Sequence, residues 1–283
     1  KTSDGGLTWN NQIPGFDKRM NCIFFTSETT GYAGGMRVIL KTTDGGNTWQ
    51  SIYSNDSHWL LSIFFTDINT GFAVGCELSR YNSVILKTTD GGATWNNQGS
   101  GISGQLTSVI FINQNTGFAC GQAGTFVKTI DGGTTWNYMD VGDVGTLCTI
   151  HFPDENTGYV VGFGARILKT IDGGKTWEHL SSPTDNSFYS VYFTDQNTGY
   201  VVGAGGTILK TTDGGVKINE EFHSDKLVIY PNPGKDLITV KAPFITRESY
   251  LIIYNLNGGE LIKIPATGEF TRIDIRNLAK GVY

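Results

Sequence analysis

The 283 residues include 38 glycines, with 12% aromatic and only 17% charged residues, a balance that favours strands and turns over helices. The net charge is −5, with 12 basic and 18 acidic residues in 1–215 and 9 and 8 in 216–283, so no basic surface suited to nucleic acid is expected. No run of about 18 apolar residues occurs, which excludes a membrane-spanning helix as a reading.

The chain begins inside a repeat. Residues 1–9 read Lys-Thr-Ser-Asp-Gly-Gly-Leu-Thr-Trp, and close variants return at 41–49, 87–95, 128–136 and 169–177. A last copy at 210–215 breaks off after its second glycine. The aspartates Asp4, Asp44, Asp90, Asp131, Asp172 and Asp213 are 40, 46, 41, 41 and 41 residues apart. A period of about 40 to 45 residues is that of a four-stranded propeller blade. The expected fold is therefore all-β, with a propeller over 1–215 made of five full repeats and a partial one. Closed rings of such blades usually need about six to eight, so one or two blades are expected ahead of Lys1.

Each repeat reads as four short strands bounded by Gly, Asn and Asp turns. The first strand ends at Phe25, Phe65, Phe111, Phe152 or Phe193. Ile23, Ile63, Val109, Ile150 and Val191 share the face of those phenylalanines, while Phe24, Phe64, Ile110, His151 and Tyr192 occupy the other. Two apolar faces imply a strand covered on both sides by neighbouring sheets. His151 replaces an aromatic in that row and reads as structural. Cys22, Cys76, Cys120 and Cys148 have no metal-ligand spacing; one disulfide, for example Cys76–Cys120 between adjacent blades, is geometrically conceivable, and no spacing rule fixes the connectivity. The Asp-x-Asn-Thr-Gly turns at 67–71, 154–158 and 195–199 lack the downstream bidentate Glu of a calcium loop and read as β-turns. No metal or cofactor is expected.

In the repeated box, the Asp carboxylate can fold back onto nearby N–H groups and the glycines tolerate positive φ, which sets a tight hairpin. Trp9, Trp49, Trp95, Trp136 and Trp177 then supply a large ring at each blade edge. The six aspartates accordingly read as structural rather than as catalytic acids.

Beyond Gly215 the repeat stops. Residues 216–225 read as a linker, and 226–283 as a small antiparallel Ig-like β-sandwich with strands at 227–230, 237–241, 250–254, 261–264 and 272–275.

Two resemblances follow from these motifs. The box matches Ser/Thr-x-Asp-x-Gly-x-Thr-Trp and resembles the Asp-box, or bacterial neuraminidase repeat. In its longer form, together with the Thr-Gly-Tyr/Phe strand, region 1–215 resembles photosystem II assembly factor-like propellers, which implies a binding scaffold without catalysis. The tail carries Ile229-Tyr230-Pro231-Asn232-Pro233, Ile253-Tyr254-Asn255 with Gly258 and Gly259, and Ile273-Asp274-Ile275 through Leu278 to Gly281-Val282-Tyr283. It resembles the type A sorting domain of type IX secretion, whose pattern continues for another strand. That resemblance implies recognition by the secretion machinery and a secreted or cell-surface location.

A ligand site is expected on the propeller face opposite the boxes, where the loops 13–19, 55–59, 142–144 and 183–186 and an insertion at 77–83 vary between repeats. All four propeller arginines, Arg19, Arg37, Arg80 and Arg166, fall on that face, and Trp59 lies among them. Arginine suits bidentate capture of carboxylates, so the candidate ligand is an acidic peptide or glycan. The alternative is a glycoside hydrolase of sialidase-like or xyloglucanase-like type. It would need two carboxylates on this face, for which Asp17, Asp56, Glu77, Asp143 and Asp185 are candidates by location alone. Five blades in a row would expose two apolar faces, and the expected outcome is poor solubility of the isolated chain. A sharp monomeric peak on size exclusion with a cooperative melt would contradict that expectation.

Overall fold

The computed structural model describes residues 1–10, 12, 19–80, 82–98, 101–142, 145–215, 220–223, 228–230, 236–241, 250–254, 259–266 and 270–278. It divides into two units, Lys1–Glu221 and Phe222–Tyr283.

The first unit is a row of antiparallel blades. Met20–Phe25 (β1), Gly31–Thr42 (β2), Gln50–Phe65 (β3), Gly71–Glu77 (β4), Ser83–Thr88 (β5) and Asn96–Asn97 (β6) form one sheet that spans two blades. Two blades share it because β3 serves both: Gln50 to Ser54 pair with β2, and His58 to Phe65 pair with β4. Leu106–Phe111 (β7), Gly117–Gly121 (β8), Phe126–Thr129 (β9) and Asn137–Tyr138 (β10) form the third blade. Leu147–His151 (β11), Gly158–Gly162 (β12), Arg166–Thr170 (β13) and Glu178–His179 (β14) form the fourth. Phe188–Phe193 (β15), Gly199–Gly203 (β16), Thr207–Thr211 (β17) and Glu220–His223 (β18) form the fifth. The stretch read as a linker thus contains the fourth strand of this last sheet, although it has lost the Thr-Trp signal that opens the others. Helix among the described residues is limited to the 3-10 turns Gln122–Gly124 and Ala204–Gly206.

Four hydrophobic clusters fill the spaces between successive blades, each drawn from both neighbours. The cluster between the first two blades joins Tyr32 and Ile39 to Leu60, Ile63, Phe65 and Ala73, all buried. One pattern recurs at these joints. The aromatic that opens the second strand stacks on the terminal Phe of the next blade: Tyr32 on Phe65 at 4.0 Å, Phe72 on Phe111 at 4.2 Å, Phe118 on Phe152 at 5.1 Å, Tyr159 on Phe193 at 3.8 Å. Each of those phenylalanines except Phe193 meets its own blade's box Trp edge-on, as Phe65 does Trp95.

The box lysine completes the joint. Lys41 Nζ donates to Gly91 O at 2.8 Å, Lys87 to Gly132 O at 2.7 Å, Lys128 to Gly173 O at 3.3 Å and Lys169 to Gly214 O at 2.6 Å. Each acceptor is the first box glycine of the following blade. The receiving turn is fixed from within: Asp90 Oδ1 accepts from Thr88 Oγ1 at 2.8 Å and Thr94 N at 2.9 Å, and Oδ2 from Thr94 Oγ1 at 2.6 Å. Gly91 N also donates to Asn69 O at 2.9 Å, which ties the box to the first turn of its own blade. A buried apolar side chain contributes about 1.5–3 kcal/mol, and a hydrogen bond to a charged group about the same. With eight buried residues per cluster the packing therefore holds the joint, while the single lysine bond sets its register.

In the second unit Val228–Tyr230 (β19), Leu237–Lys241 (β20) and Phe270–Asp274 (β23) make a three-stranded antiparallel sheet. Tyr250–Tyr254 (β21) and Glu260–Pro265 (β22) pair as a separate hairpin. The five strands expected from the sequence are present, offset at their ends by up to two residues.

The box glycines differ in what they tolerate. Gly132 and Gly133 both have left-handed backbone, at φ 68° and 76°. A Cβ on Gly133 would lie 2.3 Å from the Phe72 ring, whereas on Gly132 its nearest neighbour would be Gln114 O at 3.3 Å. Gly132→Ala should cost about 1 kcal/mol, and Gly133→Ala about 2–4 kcal/mol because the joint aromatic must move. Denaturant unfolding of the two variants checks the order.

Candidate functional site

The box aspartates are held as anions. The Thr94 hydroxyl, then the Thr94 N–H and the Thr88 hydroxyl, bring Asp90 to about 2 from an ordinary 3.8. Asp131 is likewise at about 2 through Thr135 and Thr129, and Asp4, Asp44 and Asp172 are lowered by the same kind of contacts. Asp213 accepts from Thr211 Oγ1 at 2.8 Å. A carboxylate that holds no proton near neutral pH, with its oxygens already engaged, is unsuited to general-acid work. Trp49, Trp95, Trp136 and Trp177 are half-buried against their blades, while Trp9 is 74% exposed.

On the opposite end of the blades, the turn between second and third strands bonds to the residue that precedes the first strand. Met36 N donates to Arg19 O, Leu78 N to Ser57 O, Gln122 N to Gln105 O, Phe163 N to Thr146 O and Ala204 N to Ser187 O, all at 2.7–2.9 Å. These bonds place the predicted site residues. Arg19 and Arg37 are both exposed and flank Met36, which bonds to Arg19 and pairs in register with Trp59. Arg37 has φ 67° at a register break in β2, so its side chain leaves the sheet at the tip of the turn. Arg80 is exposed in the turn after β4, whose Leu78 is tied to Ser57, two residues before Trp59. Arg19 and Arg37 thus flank one backbone bond of the first blade, and the Arg80 turn is tied to the strand that carries Trp59. Arg166 lies apart on the fourth blade, half-buried, with Nη1 donating to Phe163 O at 2.5 Å.

The long strand β3 also carries a pair without a sequence signature. His58 is 6% exposed, and its Nδ1 is 2.9 Å from the Tyr53 hydroxyl. Burial pushes His58 below its ordinary 6.5, with Glu77, its cross-strand partner, opposing. Tyr53 and His58 are five residues apart on one long strand, a spacing with no recognisable signal. His151 has its Nε2 3.2 Å from Phe193 O of the next blade and is lowered by burial. The cysteines are all free, so the Cys76–Cys120 disulfide is not formed; Cys76 Sγ instead accepts from Gln105 Nε2 at 3.3 Å. The Asp67, Asp154 and Asp195 carboxylates accept backbone N–H bonds within their own turns. Among the described residues no cluster of three or more His, Cys, Asp or Glu could hold a metal. Of the candidate carboxylates, exposed Asp56 and half-buried Glu77 lie on the second blade's entry and exposed Asp185 on the fifth's. Asp17 and Asp143 lie outside the described residues, as do most of the loop 13–19 and, in the tail, the Pro231 to Pro233 and Gly281 to Tyr283 motifs.

The sequence matches the family described as photosynthesis system II assembly factor YCF48 over residues 53–143 and 175–230. It matches the secretion system C-terminal sorting domain over 228–283. A solved structure described as YCF48 bound to D1 peptide is similar at 18% identity and TM-score 0.61, over 83% of this chain and 80% of that one. YCF48 from Cyanidioschyzon merolae is similar at 16% identity and TM-score 0.59, over 82% of each chain. A GH74 enzyme of Niastella koreensis is similar at 17% identity and TM-score 0.60, covering 80% of this chain and 41% of that enzyme. At such identities the likeness shows the fold, a β-propeller. No curated protein sequence matches.

The depressed box carboxylates set an acid limit on stability. Their folded values lie below the unfolded one, so their contribution is complete above about pH 4 and is lost as pH falls towards about 2. Melting temperature should fall steeply over that window, and Asp90→Asn with Asp131→Asn should flatten the fall. A pH-independent melt between 4 and 2 would contradict the assignment.

Proposed function

The chain belongs to the photosynthesis system II assembly factor YCF48 family and ends in a secretion sorting domain, and from that premise we propose that it is an exported, non-catalytic binding scaffold. Export to the cell surface or medium follows from the sorting domain, which the type IX secretion machinery recognises. The ligand is an acidic group, on a peptide or a glycan, held on the face opposite the boxes. The observation that carries this reading is that the backbone of Met36, which precedes Arg37, bonds to Arg19 and pairs with Trp59, with the Arg80 turn tied to the same strand. Guanidinium forks bind carboxylates in bidentate fashion, and an indole offers a flat apolar surface beside them. The solved YCF48 with a bound D1 peptide supports reading a propeller of this family as a peptide binder. The Arg166 site on the fourth blade is a secondary contact in this reading.

Glycoside hydrolysis is the second reading, favoured by Asp56 and Glu77 lying on adjoining segments at the same blade entry and by the likeness to GH74 propellers. Both readings meet one experiment. Peptide and glycan arrays probed with the full chain should select carboxylate-bearing ligands, and Arg19→Ala and Arg37→Ala should each weaken binding by about tenfold. Arg166→Ala should weaken it less. Undiminished binding after both substitutions would sink the arginine assignment, and release of reducing sugar that Glu77→Gln abolishes would replace the scaffold by an enzyme.

A further inference from the structure

We propose that Tyr53 and His58 form a proton-operated latch across the first two blades. With His58 neutral the latch is closed on Tyr53; with His58 protonated the ring turns to Glu77 and releases residues 55–57 together with the Arg80 turn. The latch sits on β3, which among the described strands is the one that serves two blades. Tyr53 belongs to the half of β3 that pairs with β2, and His58 to the half that pairs with β4. Their rings lie 6.1 Å apart at 23° to one another, and Tyr53 packs on the buried cluster between the blades. The bond therefore ties the outer strand of one blade to the inner strand of the next, at the end that carries the variable loops.

Hydrogen-bond capacity gives the pair its polarity. The Asn55 side chain supports the Tyr53 oxygen, so the Tyr53 hydroxyl donates and His58 Nδ1 accepts, at 2.9 Å. A proton on Nδ1 turns that acceptor into a donor, and the Tyr53 hydroxyl loses the partner for its own hydrogen. His58 is 6% exposed, so the new charge is also poorly solvated. Glu77 is the anion placed to take it up. It stands opposite His58 in the β3–β4 register and is half-buried, with Oε2 3.4 Å from Asn82 Nδ2. The other charged groups described at this end of the two blades are Arg19, Arg37, Asp56 and Arg80, all exposed. Burial outweighs Glu77 and holds His58 below its ordinary 6.5. The closed latch is thus complete above about pH 6.5 and is lost as pH falls through the folded value. Two further bonds connect it to the loops. Asn55 Oδ1 accepts from Ser57 N at 2.9 Å, and Ser57 O accepts from Leu78 N at 2.7 Å, two residues before Arg80. The latch works whether or not the arginines bind a carboxylate; where they do, the Arg80 turn is the part of that site which acid moves.

Imidazole NMR of the full chain between pH 7.5 and 4.5, a range in which the box aspartates stay ionised, reads the latch without any ligand. The His58 ring, assigned by its loss in His58→Gln, should titrate below 6.5. The backbone amides of Leu78 and Arg80 should shift with the same midpoint, and that shift should vanish in His58→Gln. Tyr53→Phe keeps the ring but removes the bond to neutral His58, and should move the midpoint up; Glu77→Gln should move it down. Where His58→Gln loses the parent's circular dichroism, the last two variants carry the test. A His58 midpoint at or above 6.5 would overturn the latch, as would one indifferent to Tyr53→Phe. Amides at 78 and 80 that ignore the titration of His58 would overturn its connection to the loops.

Discussion

From the second blade to the fifth, each box turn is grasped from the blade before it, and the rest of the propeller depends on that grip. A lysine ammonium, lying over an aromatic ring, donates to a glycine carbonyl of the next hairpin. The carbonyl is available because the hairpin has satisfied itself: the aspartate takes up the threonine hydroxyls and N–H groups, and the first turn of the same blade accepts the glycine N–H. A second box glycine then leaves room for the ring. The nine-residue box is therefore not nine separate preferences. Lys serves the next blade, Thr and Asp shape the turn, the glycines give it its φ values and its clearance, and Trp closes the edge. Its length is set by the need to do all of these at once.

Much of this was legible in the sequence because a repeated joint forces repeated residues. The period gave the blade, the paired apolar rows of the first strand gave burial on both sides, and the Asp-Gly-Gly turn gave the hairpin. What did not repeat was harder to read. The long strand β3 joins two blades without a break because Asn55 to Ser57 stay extended, where other repeats use Gly or Pro. The strand at Glu220–His223 carries no Thr-Trp mark, so composition alone classed it with the linker. The lysine bond between blades was also invisible, since nothing in a single repeat says that its lysine is meant for the next one.

The candidate site shows the same division. Arg19, Arg37, Arg80 and Arg166 could all be assigned to one face by counting strands, but sequence distance does not say which of them meet. Arg19 and Arg37 flank one another's strands because the backbone of Met36 bonds across to Arg19, a contact made in every blade regardless of side chain. Arg166 stays apart because it rides on another blade. The Tyr53–His58 pair was missed because each residue, taken alone, is an ordinary strand residue. The propeller thus separates its tasks by end: invariant chemistry at the boxes keeps the blades in register, and the other end is free to differ from blade to blade.

The directionality of the joint has a consequence for how such chains grow. Every internal blade is a plug on one side and a socket on the other, and neither half depends on where in the row the blade stands. Duplicating an internal unit therefore creates no new interface and asks for no compensating substitution; the copy seats on its parent as the parent seated on its neighbour. Only curvature, which no single blade encodes, limits the count. The 46-residue spacing between Asp44 and Asp90 shows the complementary freedom: residues can be added between strands at the variable end while the lysine, the ring and the carbonyl keep their places. A lineage built on this plan can change its length at the joints and its specificity at the loops, one without disturbing the other.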